Sequence, residues 1–118
     1  IMGFGSDEGD LQGLGWVPGT VKKFDINKID SKPKLPHMGW NKINDIQNHK
    51  LFRGIDNEFG FYFVHSFAVP VYEHTLASCE YGQTFSSAIR HNNFFGVQFH
   101  PERSGEAGAQ LLTNFVNL

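Results

Sequence analysis

The run Phe59-Gly60-Phe61-Tyr62-Phe63-Val64-His65-Ser66-Phe67-Ala68-Val69 is the most strand-prone stretch of this chain. It is too continuously apolar for a strand with one wet face, which predicts a strand covered on both sides. The polar pair His65-Ser66 inside it stands out. Downstream, Leu76–Tyr81, Gln83–Arg90 and Phe94–Phe99 alternate with turn residues and predict a β-meander. Gly82 breaks the first strand from the second, and Asn92-Asn93 supplies residues tolerant of positive φ for the next turn. Pro101 stops the last strand just after His100. Ser104 can then cap a helix with Glu106 in its first turn, where the dipole favours a carboxylate. Ala107, Leu111, Leu112, Phe115 and Val116 fall three or four apart and form one apolar stripe on that helix.

Upstream the pattern is weaker. Glycines at 3, 5, 9, 13, 15 and 19 make residues 3–19 turn-rich, and Thr20–Phe24 predicts a short exposed strand. Residues 25–36 are polar with Pro33 and Pro36 close together, which predicts a loop. His37-Met38-Gly39-Trp40-Asn41 continues this irregular stretch. Its Met and Trp either tuck onto the core or, if exposed, mark a contact surface.

At 118 residues the chain is long enough for one compact domain or part of a larger one. Its net charge of −2 gives no broad basic surface, so nucleic acid is not an expected partner. No apolar run approaches the roughly 20 residues of a membrane span. A single cysteine, Cys79, excludes an internal disulfide framework and fits a reducing compartment. With no signal-like segment at the start, these features point to the cytoplasm. The start, Ile1-Met2-Gly3-Phe4-Gly5, reads as a chain entered midway.

His100 stands just past the end of a buried-looking strand, where α/β proteins hold functional groups on rigid elements. Glu102, two residues on, can reach one imidazole nitrogen, fixing the tautomer and stabilising the imidazolium formed when histidine takes a proton. A hydrogen-bonded structural histidine is the alternative reading of the same triplet. A triad needs a nucleophile, and Cys79 sits mid-strand beside Glu80 with no glycine-flanked elbow to expose its sulfur. Ser66 and Ser104 lack such an elbow too. The six histidines form no His-x-His or His-Glu-x-x-His pair, so no metal site or cofactor is expected.

Gly96-Val97-Gln98-Phe99-His100-Pro101-Glu102-Arg103-Ser104 resembles the triad-closing segment of class I glutamine amidotransferases. Three more segments, in the same order, are similar to the glutaminase-subunit branch that serves imidazole glycerol phosphate synthase. They are Gly13-Leu14-Gly15-Trp16-Val17-Pro18-Gly19, Pro36-His37-Met38-Gly39-Trp40-Asn41 and Phe61-Tyr62-Phe63-Val64-His65-Ser66. The resemblance implies an α/β, flavodoxin-like fold: a mixed sheet, an antiparallel β-meander and a carboxyl-terminal helix. Residues 1–118 would be the carboxyl-terminal portion of a single such domain. Ile1–Gly5 would continue the helix that follows a Gly-x-Cys-x-Gly elbow, with the amino-terminal part and the nucleophile missing.

By the same resemblance, His100 is the general base and then acid of glutamine hydrolysis, and Glu102 its orienting carboxylate. His65, Ser66 and Phe67 hold the glutamine substrate. Pro36, Met38, Trp40, Tyr62 and Arg103 form the face docked on a barrel-shaped synthase subunit, with Arg103 where the family commonly has lysine. The implied protein is a glutaminase feeding ammonia to a cyclase in histidine biosynthesis, in a heterodimer. Two alternatives are a paralogue supplying ammonia for surface-polysaccharide sugar amidation and a non-catalytic docking module. The 118 residues alone are expected to be inactive and to fold poorly, with Phe61, Phe63 and Val97 lacking cover.

Overall fold

The structure is a computed structural model, and it describes residues 5–6, 20–23 and 36–118. Eight strands, two 3-10 turns and one α-helix follow in order among them. The predicted loop over 25–36 lies outside the described residues apart from Pro36, as does most of the glycine-rich segment.

Strands β1 (Gly5–Ser6) and β2 (Thr20–Lys23) pair in parallel, and every other strand pair is antiparallel. Gly5 therefore belongs to a strand, which corrects the helix expected to run through Ile1–Gly5; residues 1–4 lie outside the described set. The expected exposed strand at Thr20–Phe24 is present over Thr20–Lys23.

His37–Lys42 is not irregular. It forms β3, paired in full register with β4 (Gly60–His65), from His37 opposite His65 to Lys42 opposite Gly60. Gly39 makes this possible at a φ of 121°, a conformation side chains rarely adopt. The two strands form a separate ribbon, tied to the larger sheet by paired backbone bonds between Asn44 and Ser78 at 2.7 and 2.8 Å.

The expected single strand over 59–69 is two strands. β4 ends at His65, Ser66 makes the break, and β5 (Phe67–Pro70) joins the other sheet. β4 is not covered on both sides either. Phe61, Phe63 and His65 are buried while Tyr62 and Val64 are half-buried, the alternation of a strand with one inner face. Tyr62 and Val64 on the outward face made the run look continuously buried.

β6 (Thr75–Glu80), β7 (Thr84–His91) and β8 (Phe94–Val97) form the meander, each bound within two residues of the predicted one. Gly82 and Asn92 take positive φ in its two turns, at 74° and 56°. The meander is part of the larger sheet rather than beside it. β7 pairs β6 on one edge, and on the other it takes β5 near Phe85 and β8 near Ala88–His91.

The core lies where β4 faces the meander and helix α1 (Gly105–Val116). Phe61 packs at a tilt on Phe99 with ring centres 4.3 Å apart, and Phe63 meets Phe85 and Phe99 edge-on at 6.0 and 5.8 Å. Phe61 and Phe63 are fully buried and Val97 is packed against the core, so the cover expected to be absent is present. Each such phenylalanine stabilises the fold by about 1.5–3 kcal/mol through the area it removes from water. α1 presents Ala107 and Leu111 to this core. The rest of the predicted stripe does not follow, since Leu112, Phe115 and Val116 are exposed. Asn114 fixes the far end of the helix instead, donating to the carbonyls of Leu51 and Arg53 at 2.9 and 2.8 Å.

Candidate active site

The site is built where β8 runs out towards α1. Phe99 is buried and anchors the strand end, and the next residue, His100, donates its backbone N–H to the Tyr62 carbonyl at 2.9 Å. That bond stitches the loop to β4. Pro101-Glu102-Arg103 then form one 3-10 turn, with Pro101 at the first position where no donor is needed.

Ser104 closes the turn, but not as the helix cap that was expected. Its side chain makes no capping bond to α1. The hydroxyl donates to the His100 carbonyl at 2.6 Å and accepts the Tyr62 N–H at 2.9 Å. Gly105 reverses the chain at a φ of 59°. Gly108 lets the helix pack onto the turn, because a Cβ there would lie 1.9 Å from the Pro101 carbonyl oxygen. Sequence reasoning missed both roles. The signal was available as small residues one helical turn apart, Ser104 and Gly108, directly after the His-Pro-Glu triplet.

Within this frame the His100 Nδ1–H donates to Glu102 Oε2 at 3.1 Å. Nδ1 is thereby the protonated nitrogen, which leaves Nε2 able to take a proton. Among the described residues nothing bonds to that nitrogen, and 41% of the side chain is exposed, so a substrate can reach it. Glu102 is held below the usual carboxylate range by a bond from its own backbone N–H, then by the His100 ring. It therefore stays ionised as the orienting partner.

His65 lies close enough to feel His100. Burial lowers its pKa most, the Phe67 carbonyl opposes that, and the charge on His100 lowers it further. Its Nδ1 bonds the Phe67 carbonyl at 2.9 Å, across the half-buried Ser66 at the break between β4 and β5. The expected substrate segment thus follows the end of β4, and the expected catalytic pair sits in a loop bonded to Tyr62 of the same strand.

His65 Nε2 in turn bonds His37 Nδ1 at 2.8 Å. His37 is buried between the rings of Tyr81 and Phe63, at 4.0 and 4.9 Å. Burial and then His65 push its pKa down to about 4. No role was expected of His37. Only its register opposite His65 reveals one.

Cys79 lies on β6, fully buried, and burial pushes its thiol up to about 12. A thiol held neutral and out of reach is no nucleophile. Among the described residues no three His, Cys, Asp or Glu side chains gather to hold a metal ion, and no helix is long and apolar enough to cross a membrane.

The expected docking residues share one surface. Trp40 and Tyr62 are cross-strand partners with rings 6.1 Å apart, and the Arg103 guanidinium lies 4.6 Å over the Tyr62 ring. Met38 and Trp40 are each 61% exposed, and Pro36 is exposed beside them. Of the two alternatives, a loop tucked onto the core is not the one found: Met38 and Trp40 lie on a strand with their side chains exposed.

The profile described as "Glutamine amidotransferase class-I" matches residues 9–118. The chain belongs to that family. Among curated relatives, the imidazole glycerol phosphate synthase subunit HisH of Pectobacterium atrosepticum is 53% identical over 119 residues, covering 100% of this chain and 59% of the relative. The subunit of the same name from Vibrio cholerae is 52% identical, covering 92% of this chain and 51% of its own length. That of Photobacterium profundum is 58% identical, covering 100% and 59%. The chain thus spans between half and three-fifths of the length of these relatives. As a member of the class-I amidotransferases, it carries an oriented histidine–carboxylate pair, and its own cysteine is buried away from solvent.

Proposed function

We propose that this chain supplies the acid–base half of a glutaminase site in a HisH-type subunit of imidazole glycerol phosphate synthase. The single observation that carries the reading is the His100 Nδ1–Glu102 bond at 3.1 Å, in a loop tied to the strand that ends at His65. Relatives more than 50% identical bear that subunit's name. We read residues 1–118 as the carboxyl-terminal portion of one flavodoxin-like α/β amidotransferase domain acting in the cytoplasm.

In this mechanism a cysteine thiolate, which Cys79 cannot provide, attacks the glutamine carboxamide. His100 takes the thiol proton on Nε2, then gives it to the departing ammonia. The resulting thioester is opened by a water that His100 deprotonates, and glutamate leaves. Glu102 holds the imidazole in the Nδ1–H tautomer throughout and stabilises the imidazolium between the two proton transfers. The segment His65-Ser66-Phe67 positions the glutamine.

Pro36, Met38, Trp40, Tyr62 and Arg103 form the face that docks a barrel-shaped synthase subunit. Exposed aromatic and arginine side chains are the types that concentrate binding energy in interfaces. An apolar face also suits ammonia transfer, because bulk water would protonate the product before it reached the acceptor. The test is incubation of the full protein and the synthase subunit with glutamine. Glutamate release matched by amination of the synthase's substrate supports the reading, and docking without glutamate release refutes it.

A further inference from the structure

We propose that His37 is a positioning residue for the substrate segment: through one directed chain of hydrogen bonds it fixes the tautomer of His65 and so the turn that carries Ser66. This rests on the glutaminase reading for its kinetic consequence, but the chain itself follows from the geometry.

The direction is determined at both ends. Asn41 Oδ1 accepts the Lys42 N–H at 2.8 Å, which sets the orientation of the amide. Its Nδ2 therefore faces the Glu80 carbonyl at 3.1 Å and His37 Nε2 at 3.3 Å, and must donate to both. His37 Nε2 is thus an acceptor, and the proton of a neutral His37 ring lies on Nδ1. At the other end, the Phe67 carbonyl can only accept, so His65 Nδ1 carries a proton. A neutral His65 then has Nε2 as acceptor, facing His37 Nδ1–H at 2.8 Å. Among the described residues, each donor of this chain meets an acceptor in the order Asn41 to His37 to His65 to Phe67.

Both imidazoles are locked as Nδ1–H tautomers, the minor form of free histidine. An added proton on either ring would place two donors face to face, which agrees with the lowered pKa of both. The chain crosses from β3 to β4 and ends on the first residue of β5, so it spans the break at Ser66. If His37 did not donate, His65 could take the commoner Nε2–H form, lose its bond to Phe67 and release the turn. Glutamine would then meet a loosened segment while His100 and Glu102 kept their geometry. Binding should weaken more than chemistry.

The experiment uses the full protein with its synthase subunit. His37→Phe keeps a flat ring between Tyr81 and Phe63 but cannot donate, whereas His37→Asn retains an amide donor near the Nδ1 position. The phenylalanine variant is expected to raise the KM for glutamine about tenfold, with kcat changed much less, as loss of one buried hydrogen bond implies. The asparagine variant should recover most of that loss. In the unmodified protein, ring nitrogen NMR should show His37 and His65 both as Nδ1–H tautomers.

An unchanged KM in a folded His37→Phe protein overturns the proposal, as does an asparagine variant no better than the phenylalanine one. A His65 ring protonated on Nε2 overturns it too, even where a variant fails to fold. Full activity in His100→Ala would instead overturn the glutaminase reading, and the ring tautomers would still decide the chain.

Discussion

The Ser104 hydroxyl donates to the carbonyl of His100 at 2.6 Å while accepting the N–H of Tyr62 at 2.9 Å. One buried side chain thus joins the loop that carries His100 and Glu102 to the strand whose end carries His65. Ser104→Ala leaves both backbone groups without this partner. The expected loss is about 1–3 kcal/mol of stability, read as a lower urea midpoint, together with a fall in glutamine turnover at unchanged partner affinity.

Gly108→Ala puts a methyl carbon where the Pro101 carbonyl oxygen stands, 1.9 Å away. Backbone must move, because no flexible side chain is there to yield. Alanine favours helices over glycine by about 1 kcal/mol, so a gain would be expected from propensity alone. The clash should outweigh it, giving a net loss of about 1–3 kcal/mol in thermal or urea unfolding.

Much of this architecture is legible in the residue pattern, and the misses have physical causes. The meander could be read because glycine and asparagine turns separate its strands, and the helix because Ala107 and Leu111 stand four apart after Pro101 ends the strand. β3 was hidden. Pro36 and Gly39 mark a loop in isolation, whereas pairing with β4 across six residues overrides that local signal. The split of β4 from β5 was missed because Phe67 and Val69 prolong an apolar run past the point where the chain changes sheets. His100 and Glu102 were findable from position, but the Ser104 clamp and the His37–His65 bond depend on contacts 42 and 28 residues apart in sequence.

Acid should destabilise the fold in a window set by the buried histidines. His37 has a folded pKa of about 4 against an ordinary 6.5, and His65 is lowered in the same direction. Between those values the unfolded chain binds more protons than the folded one, so stability rises with pH. The histidine contribution is complete above about 6.5 and is lost as pH falls towards 4. Urea midpoints from pH 8 to 4 should decline through this range, and His37→Phe should flatten the decline.

Cys79 should be chemically silent. With its thiol raised to about 12 and no exposed surface, it should resist iodoacetamide at pH 8 in the native protein and react once unfolded. Mass spectrometry of the intact chain reads the difference. Cys79→Ala should leave glutamine turnover unchanged.

Trp40 offers a clean test of the docking face, because a side chain 61% exposed contributes little to folding. Trp40→Ala should weaken binding of the synthase subunit by about 2 kcal/mol or more, roughly thirtyfold. Calorimetric titration measures this directly, with an unchanged melting temperature as the control.

The most direct measurement is kcat for glutamine hydrolysis by the full protein bound to its synthase subunit, before and after His100→Ala. Loss of a general acid–base group predicts a fall of about 10²–10⁴-fold at nearly unchanged glutamine affinity. A His100→Ala enzyme that turns glutamine over at the original rate would contradict the assignment of His100 and Glu102 as the acid–base pair.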